Sequence, residues 1–218
     1  MSIETFILND VEICNLDSKI RDLQIIFNEL SYSHLPVEKD GVYLGCISDT
    51  DIRCLDGEKT LADYQYILDG FFAREDDHWL ETLQTFALNQ TNILPVLSLE
   101  NKYLGYLELH DIISSFNDTP FLNEPGGILV LEKGAREYSF SEVGQIVESH
   151  NAALLGMFVS SKDDGLTQIT LKLSTTGLNE ILQTFRRYGY TIVSEHQEDS
   201  FRENLKDRSD YLDKYLKI

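Results

Sequence analysis

The chain has 218 residues, 42% of them hydrophobic and 11% aromatic, which excludes a disordered polymer and leaves room for two compact domains. Its 18 Lys and Arg face 37 Asp and Glu, a formal charge of −19 with no basic run. Nucleic acid and anionic membrane surfaces are therefore excluded as expected partners, because both are held by cations that replace counterions along a polyanion.

The amino end, Met1-Ser2-Ile3-Glu4-Thr5-Phe6, lacks the basic start and long apolar core of a secretion signal. The longest apolar stretches, such as residues 152–159, fall far short of the roughly 20 residues of a membrane helix. A cytoplasmic location is expected. Cys14, Cys46 and Cys54 are odd in number and form no C-x-x-C pair, so reduced thiols are expected, with Cys46 buried in a strand.

In chain order, residues 19–30 place Ile20, Leu23, Phe27 and Leu30 on one face at helical spacing. His34-Leu35-Pro36-Val37 then starts a short strand, Asp40-Gly41 supplies a hairpin turn, residues 42–47 form the returning strand, and a helix is expected near Asp51. The same order returns. Trp79, Leu80, Leu83, Phe86 and Ala87 mark a helical face, Ile93-Leu94-Pro95-Val96 a strand, Gly105-Tyr106-Leu107-Glu108 its partner, and a helix is expected near Asp111. The prolines stand 59 positions apart, and Gly45 and Asp51 stand 60 before Gly105 and Asp111. Two of the chain's four prolines thus occupy one place in a repeat. A unit of this size does not bury its apolar face alone, so the copies should pack together and leave clefts between them.

Helix, strand, turn, strand and helix, given twice, resembles the paired CBS (cystathionine-β-synthase) domains of regulatory proteins. The resemblance covers residues 1–118, with copy one at about 1–60 and copy two at about 61–118. It implies a nucleotide site in the Gly-x-x-Ser-x-x-Asp spacing from Gly45 to Asp51: the Ser48 hydroxyl near a phosphate, the Asp51 carboxylate on the ribose hydroxyls, and His34 beside the base. The physics agrees, since a helix N-terminus favours an anion and a carboxylate accepts well from a vicinal diol. Copy two keeps Asp111 but carries Glu108 in place of the hydroxyl residue. A carboxylate about 4 Å from a phosphate costs about 4 kcal/mol at an effective dielectric near 20, so copy two should not hold a phosphorylated nucleotide there. The competing reading is structural: Ser48, Asp51 and Asp111 are all residues that begin helices.

Pro and Gly cluster at residues 119–126, which reads as a linker. Beyond it a strand (128–131), a helix capped by Ser139 or Ser141 and running to His150, strands at 154–160 and 166–173, a helix at 178–188 and a strand at 190–194 give βαββαβ. That order predicts a ferredoxin-like sandwich over residues 127–197, and behind a CBS pair it resembles an ACT domain, a regulatory module that often binds amino acids. Tyr138 stands where amino-acid-binding members carry Gly, and a ring there argues against such a ligand. Residues 198–218 read as an amphipathic helix with Phe201, Leu205, Leu212, Tyr215 and Leu216 on one face.

The fold class expected is α+β: a tandem CBS pair, a ferredoxin-like (ACT-like) domain and a C-terminal helix, similar in layout to the acetoin-utilisation-type accessory proteins. The five histidines show no metal-ligand spacing, and nucleophile elbow and P-loop motifs are absent, so neither a metal nor an enzyme is expected. The expected function is regulation: an adenine nucleotide (AMP, ADP or ATP) bound through Ser48, Asp51, His34 and Asp111 in a homodimer that signals to a protein target not named by the sequence. The alternative is a ligand-free scaffold with decayed clefts.

Overall fold

The computed structural model describes residues 3–11, 13–174 and 177–194. The chain divides into two compact units, Met1–Phe116 and Asn117–Ile218.

The first unit holds the two repeats. Copy one runs β1 (Cys14–Asn15), α1 (Ile20–Glu29), β2 (His34–Lys39), β3 (Val42–Ser48) and α2 (Asp49–Ile52). Copy two runs β4 (Ala73–Arg74), α3 (Trp79–Asn89), β5 (Ile93–Leu97), β6 (Tyr103–Glu108) and α4 (Leu109–Asn117). Each copy builds one three-stranded sheet, β1-β2-β3 or β4-β5-β6, whose short first strand is parallel to the middle one and whose last strand is antiparallel. Both sheets shift register at the same place, after Val37 and after Val96. β1 pairs with Val37 and Glu38, and β4 with Val96 and Leu97, so Pro36 and Pro95 lie just outside those ladders, where a missing N–H is tolerated. The Asp40-Gly41 turn has positive φ at both residues, 51° and 79°, as a tight two-residue hairpin requires.

The copies exchange their leading segments. Asp69, which precedes copy two, exchanges backbone hydrogen bonds with Cys46 of β3 at 2.8 and 2.9 Å, and Leu8, which precedes copy one, does the same with Tyr106 of β6 at 2.9 and 2.8 Å. This crossing accounts for the repeated glycine. At Gly45 and Gly105 φ is +147°, and a Cβ would stand 2.9 Å from the Asp69 carbonyl oxygen in one case and 2.2 Å from that of Leu8 in the other. Only glycine combines that backbone with that approach. The buried clusters follow the exchange: Ile3 and Cys46 pack with Phe86, Leu94, Val96 and Ile112 of copy two, while Ile20, Leu23, Phe27, Leu35, Val37 and Ile47 form the core of copy one.

The helix expected near Asp51 is α2, a single turn that begins at Asp49 with Ser48 as its N-cap, and the Gln24 side chain of α1 donates to the carbonyls of Ile52 (2.8 Å) and Leu55 (3.3 Å) at its end. One expectation for this unit is corrected. In α3 the buried face is Thr82 and Phe86, whereas Leu80 is exposed; the Thr82 hydroxyl satisfies itself on the Trp79 carbonyl at 2.7 Å.

The second unit comprises α5 (Pro120–Asn123), β7 (Gly127–Gly134), α6 (Phe140–Ser149), β8 (Leu154–Asp163), β9 (Leu166–Leu173), α7 (Leu178–Arg187) and β10 (Thr191–Ile192). From β7 onward the order is strand, helix, strand, strand, helix, strand, and the antiparallel sheet runs β10-β7-β9-β8. Leu129, Leu131, Ile169 and Leu171 of the sheet pack with Val143, Val147, Ile181 and Phe185 of the helices. Ser139, not Ser141, caps α6, accepting from the Glu142 amide. Tyr138 packs partly against this core and edge-on to Phe140. The stretch read as a linker contains α5, whose Phe121 lies where a Cβ on Gly156 would approach to 2.6 Å, 6.1 Å from the Phe158 ring. The helix expected at 198–218 lies outside the described residues.

Candidate functional site

The end of the β2–β3 hairpin gathers the polar groups of copy one. His34 opens β2 and stands directly across the ladder from Ser48, the last residue of β3 and the N-cap of α2. The Ser48 hydroxyl accepts from the Asp51 amide at 3.0 Å and donates to the Asp51 carboxylate at 2.7 Å, so the two residues hold each other. The exchanged segment adds Asp69, whose carboxylate lies 3.6 Å from His34 Nε2, and Phe71, edge-on to the imidazole with centroids 5.2 Å apart. Ser33 Oγ lies 2.9 Å from His34 Nδ1. Beneath, the Tyr43 hydroxyl donates to the Phe71 carbonyl at 2.6 Å and lies 3.4 Å from Cys46 Sγ, fixing the approach of the exchanged segment.

Burial dominates the electrostatics of this corner. It pushes the His34 pKa down, against the opposing pull of Asp69 and Asp51, so the imidazole is neutral at pH 7. It also pushes the Cys46 thiol up to about 12 and the Tyr43 phenol well above its ordinary range, so both stay protonated. Asp49 holds the guanidinium of Arg53 through Nε at 3.0 Å and Nη2 at 2.9 Å. The corner thus offers a neutral imidazole, a hydroxyl and two carboxylates, a set suited to hydroxyl and amine donors rather than to an anion.

His34, Ser48 and Asp51 are therefore brought together, and Asp111 is not among them: it sits in the first turn of α4, on the matching corner of copy two. Asp69 and Phe71 escaped the sequence reading because only strand exchange carries them to the His34 corner. On the copy-two corner Ile93 stands across the ladder from Glu108, where copy one has His34 and Ser48. The Glu108 carboxylate accepts from the Tyr32 hydroxyl of copy one at 2.5 Å, so Glu108 is a bound partner of a phenol and not the bare charge expected from the sequence. A shallow apolar hollow of about 440 Å³, with Leu83, Phe86, Ala87 and Leu109 beneath a rim of Ser33 and Asn92, contains none of the expected site residues.

Residues 3–55 match the family model of the CBS domain. The match covers copy one, and copy two repeats its strand order, its register shift and its glycine. Among curated proteins, the inosine-5′-monophosphate dehydrogenase of Methanocaldococcus jannaschii is 21% identical over 149 residues, 68% of this chain and 30% of that protein. The chain thus spans less than a third of that relative. Among solved structures, a CBS domain pair/ACT domain protein from Thermotoga maritima is similar over 53% of this chain and 96% of its own, with 21% identity and a TM-score of 0.49. CBSX2 in complex with AMP is similar over 53% and 95% (17% identity, TM-score 0.46). The cytosolic domain of the Mg²⁺ channel MgtE in complex with ATP is similar over 50% and 46% (15% identity, TM-score 0.43).

Proposed function

We propose that the chain is a non-enzymatic cytoplasmic regulator in which an adenine-containing nucleotide (AMP, ADP or ATP) binds the His34 corner of copy one and shifts the arrangement of the pair, while an ACT-like second unit builds a homodimer. The observation that carries this reading is the convergence of His34, Ser48, Asp51 and Asp69 on one corner of the copy that matches the CBS family model. An exposed carboxylate at Asp51, already oriented by Ser48, accepts from a ribose diol, and the buried, neutral His34, held between Ser33 and Asp69 and edge-on to Phe71, forms the floor of the corner. For the second unit, support comes from the strand order β10-β7-β9-β8.

Among the described residues, the lack of a free cation at the corner sets an order of affinity. Arg53 is already held by Asp49, and Asp51 and Asp69 repel phosphate, so added phosphates should not strengthen binding. Calorimetric titration of the full chain with adenosine, AMP and ATP should give one site per chain, AMP at least as tight as ATP, and a loss of tenfold or more in Asp51→Ala. Binding unaffected by Asp51→Ala in a folded variant would move the site elsewhere.

The second reading is a ligand-free scaffold. Its support is that the Ser48 and Asp51 side chains satisfy each other as a helix cap. Failure of all three ligands to raise the melting temperature would favour it.

A further inference from the structure

The two corners of the pair are built from equivalent positions, yet they are filled differently. Where copy one has Cys46, copy two has Tyr106, a fully buried ring on β6. Its hydroxyl donates to Asp10 Oδ1 at 2.5 Å and lies 3.1 Å from the Tyr32 hydroxyl, which in turn donates to Glu108 at 2.5 Å. The two rings meet edge to face with centroids 5.7 Å apart. Three separate stretches of chain are joined this way: the leading segment through Asp10, the turn after α1 through Tyr32, and β6 through Tyr106 and Glu108. The backbone bonds between Leu8 and Tyr106 lie in the same place. Burial raises both phenol pKa values, so each hydroxyl keeps the hydrogen it donates.

We propose that the Asp10–Tyr106–Tyr32–Glu108 network is the built-in occupant of the Glu108 corner, the counterpart of the His34 corner: it clamps the leading segment onto β6 and closes that corner of copy two to small ligands, leaving copy one as the responsive corner. The asymmetry then comes from two rings and their hydrogen bonds, and Glu108 acts as an acceptor within the clamp. That copy one takes a nucleotide rests on the function proposed above; the clamp itself does not.

Hydrogen exchange on the full chain tests the clamp without any ligand. Tyr106→Phe and Tyr32→Phe keep the rings and delete the hydroxyls, and each should speed exchange of the Leu8 and Tyr106 amides about tenfold, leaving the Cys46 and Asp69 amides of the other crossing unchanged. Unaltered exchange at Leu8 and Tyr106 in both variants would overturn the clamp. AMP titration then tests the closure. Glu108→Ser should keep the wild-type stoichiometry, because both rings remain, whereas the triple variant Ile93→His, Tyr106→Cys, Glu108→Ser places the copy-one residues His34, Cys46 and Ser48 at the matching positions and should gain a second binding event. A second event in Glu108→Ser alone, or none in a folded triple variant, would overturn the closure. Wild-type protein that binds no AMP would instead remove the nucleotide reading, with the exchange result still deciding the clamp.

Discussion

Burial and charge pull His34 in opposite directions. Removal from water disfavours the imidazolium, Asp69 and Asp51 favour it, and burial prevails, so the folded-state pKa lies below 6.5. The unfolded chain then binds the proton first as the pH drops. The stability that His34 contributes is complete above about 6.5 and is lost as the pH falls through the folded value. Urea midpoints should therefore decline between pH 7.5 and 5.5 more steeply in wild type than in His34→Gln; parallel declines would show that His34 does not titrate with folding. At this scale it was the resemblance to CBS pairs that named His34, Ser48, Asp51 and Asp111 together, and the structure brings the first three to one corner. Asp69 and Phe71 carry no such mark, since they come from a stretch that belongs to neither hairpin.

Among the elements, the informative comparison is between glycines. Gly41 and Gly105 both have positive φ, yet a Cβ on Gly41 meets nothing within 4 Å, whereas one on Gly105 stands 2.2 Å from the Leu8 carbonyl oxygen. Gly41→Ala should cost about 1 kcal/mol for the backbone alone. Gly105→Ala adds a backbone collision and should cost about 3 kcal/mol or more, read as a shift in the denaturant midpoint. Equal effects at the two sites would mean that the Leu8 segment is not held against β6. Hairpins, turns and long helices were legible because periodicity and turn chemistry are local. The approach of Gln24 on α1 to the end of α2 was not, because it joins positions 28 and 31 residues apart.

For the whole molecule, charge and exposed apolar surface compete. β8 is an edge strand of ten residues, with Phe158 exposed, and a symmetric partner across such an edge is the usual cover. Each chain carries −19, so association brings like charges together and salt relieves the repulsion. Sedimentation at micromolar concentration should give a dimer at 150 mM salt that weakens at 10 mM. A mass of 25.0 kDa at both would remove the homodimer from the proposed function.

The sequence by itself determined the repeat, the hairpins and the βαββαβ order, because each is written in spacing along a continuous stretch; His34, Ser48 and Asp51 were named through the resemblance to CBS pairs. Tertiary structure alone decided that each copy's leading segment bridges to the last strand of the other copy's sheet, and so which glycines are obligatory and which acidic residue faces His34. It also decided the fate of Glu108. A carboxylate that reads as repulsive in isolation becomes an acceptor once folding places the Tyr32 hydroxyl 2.5 Å away, 76 residues distant along the chain.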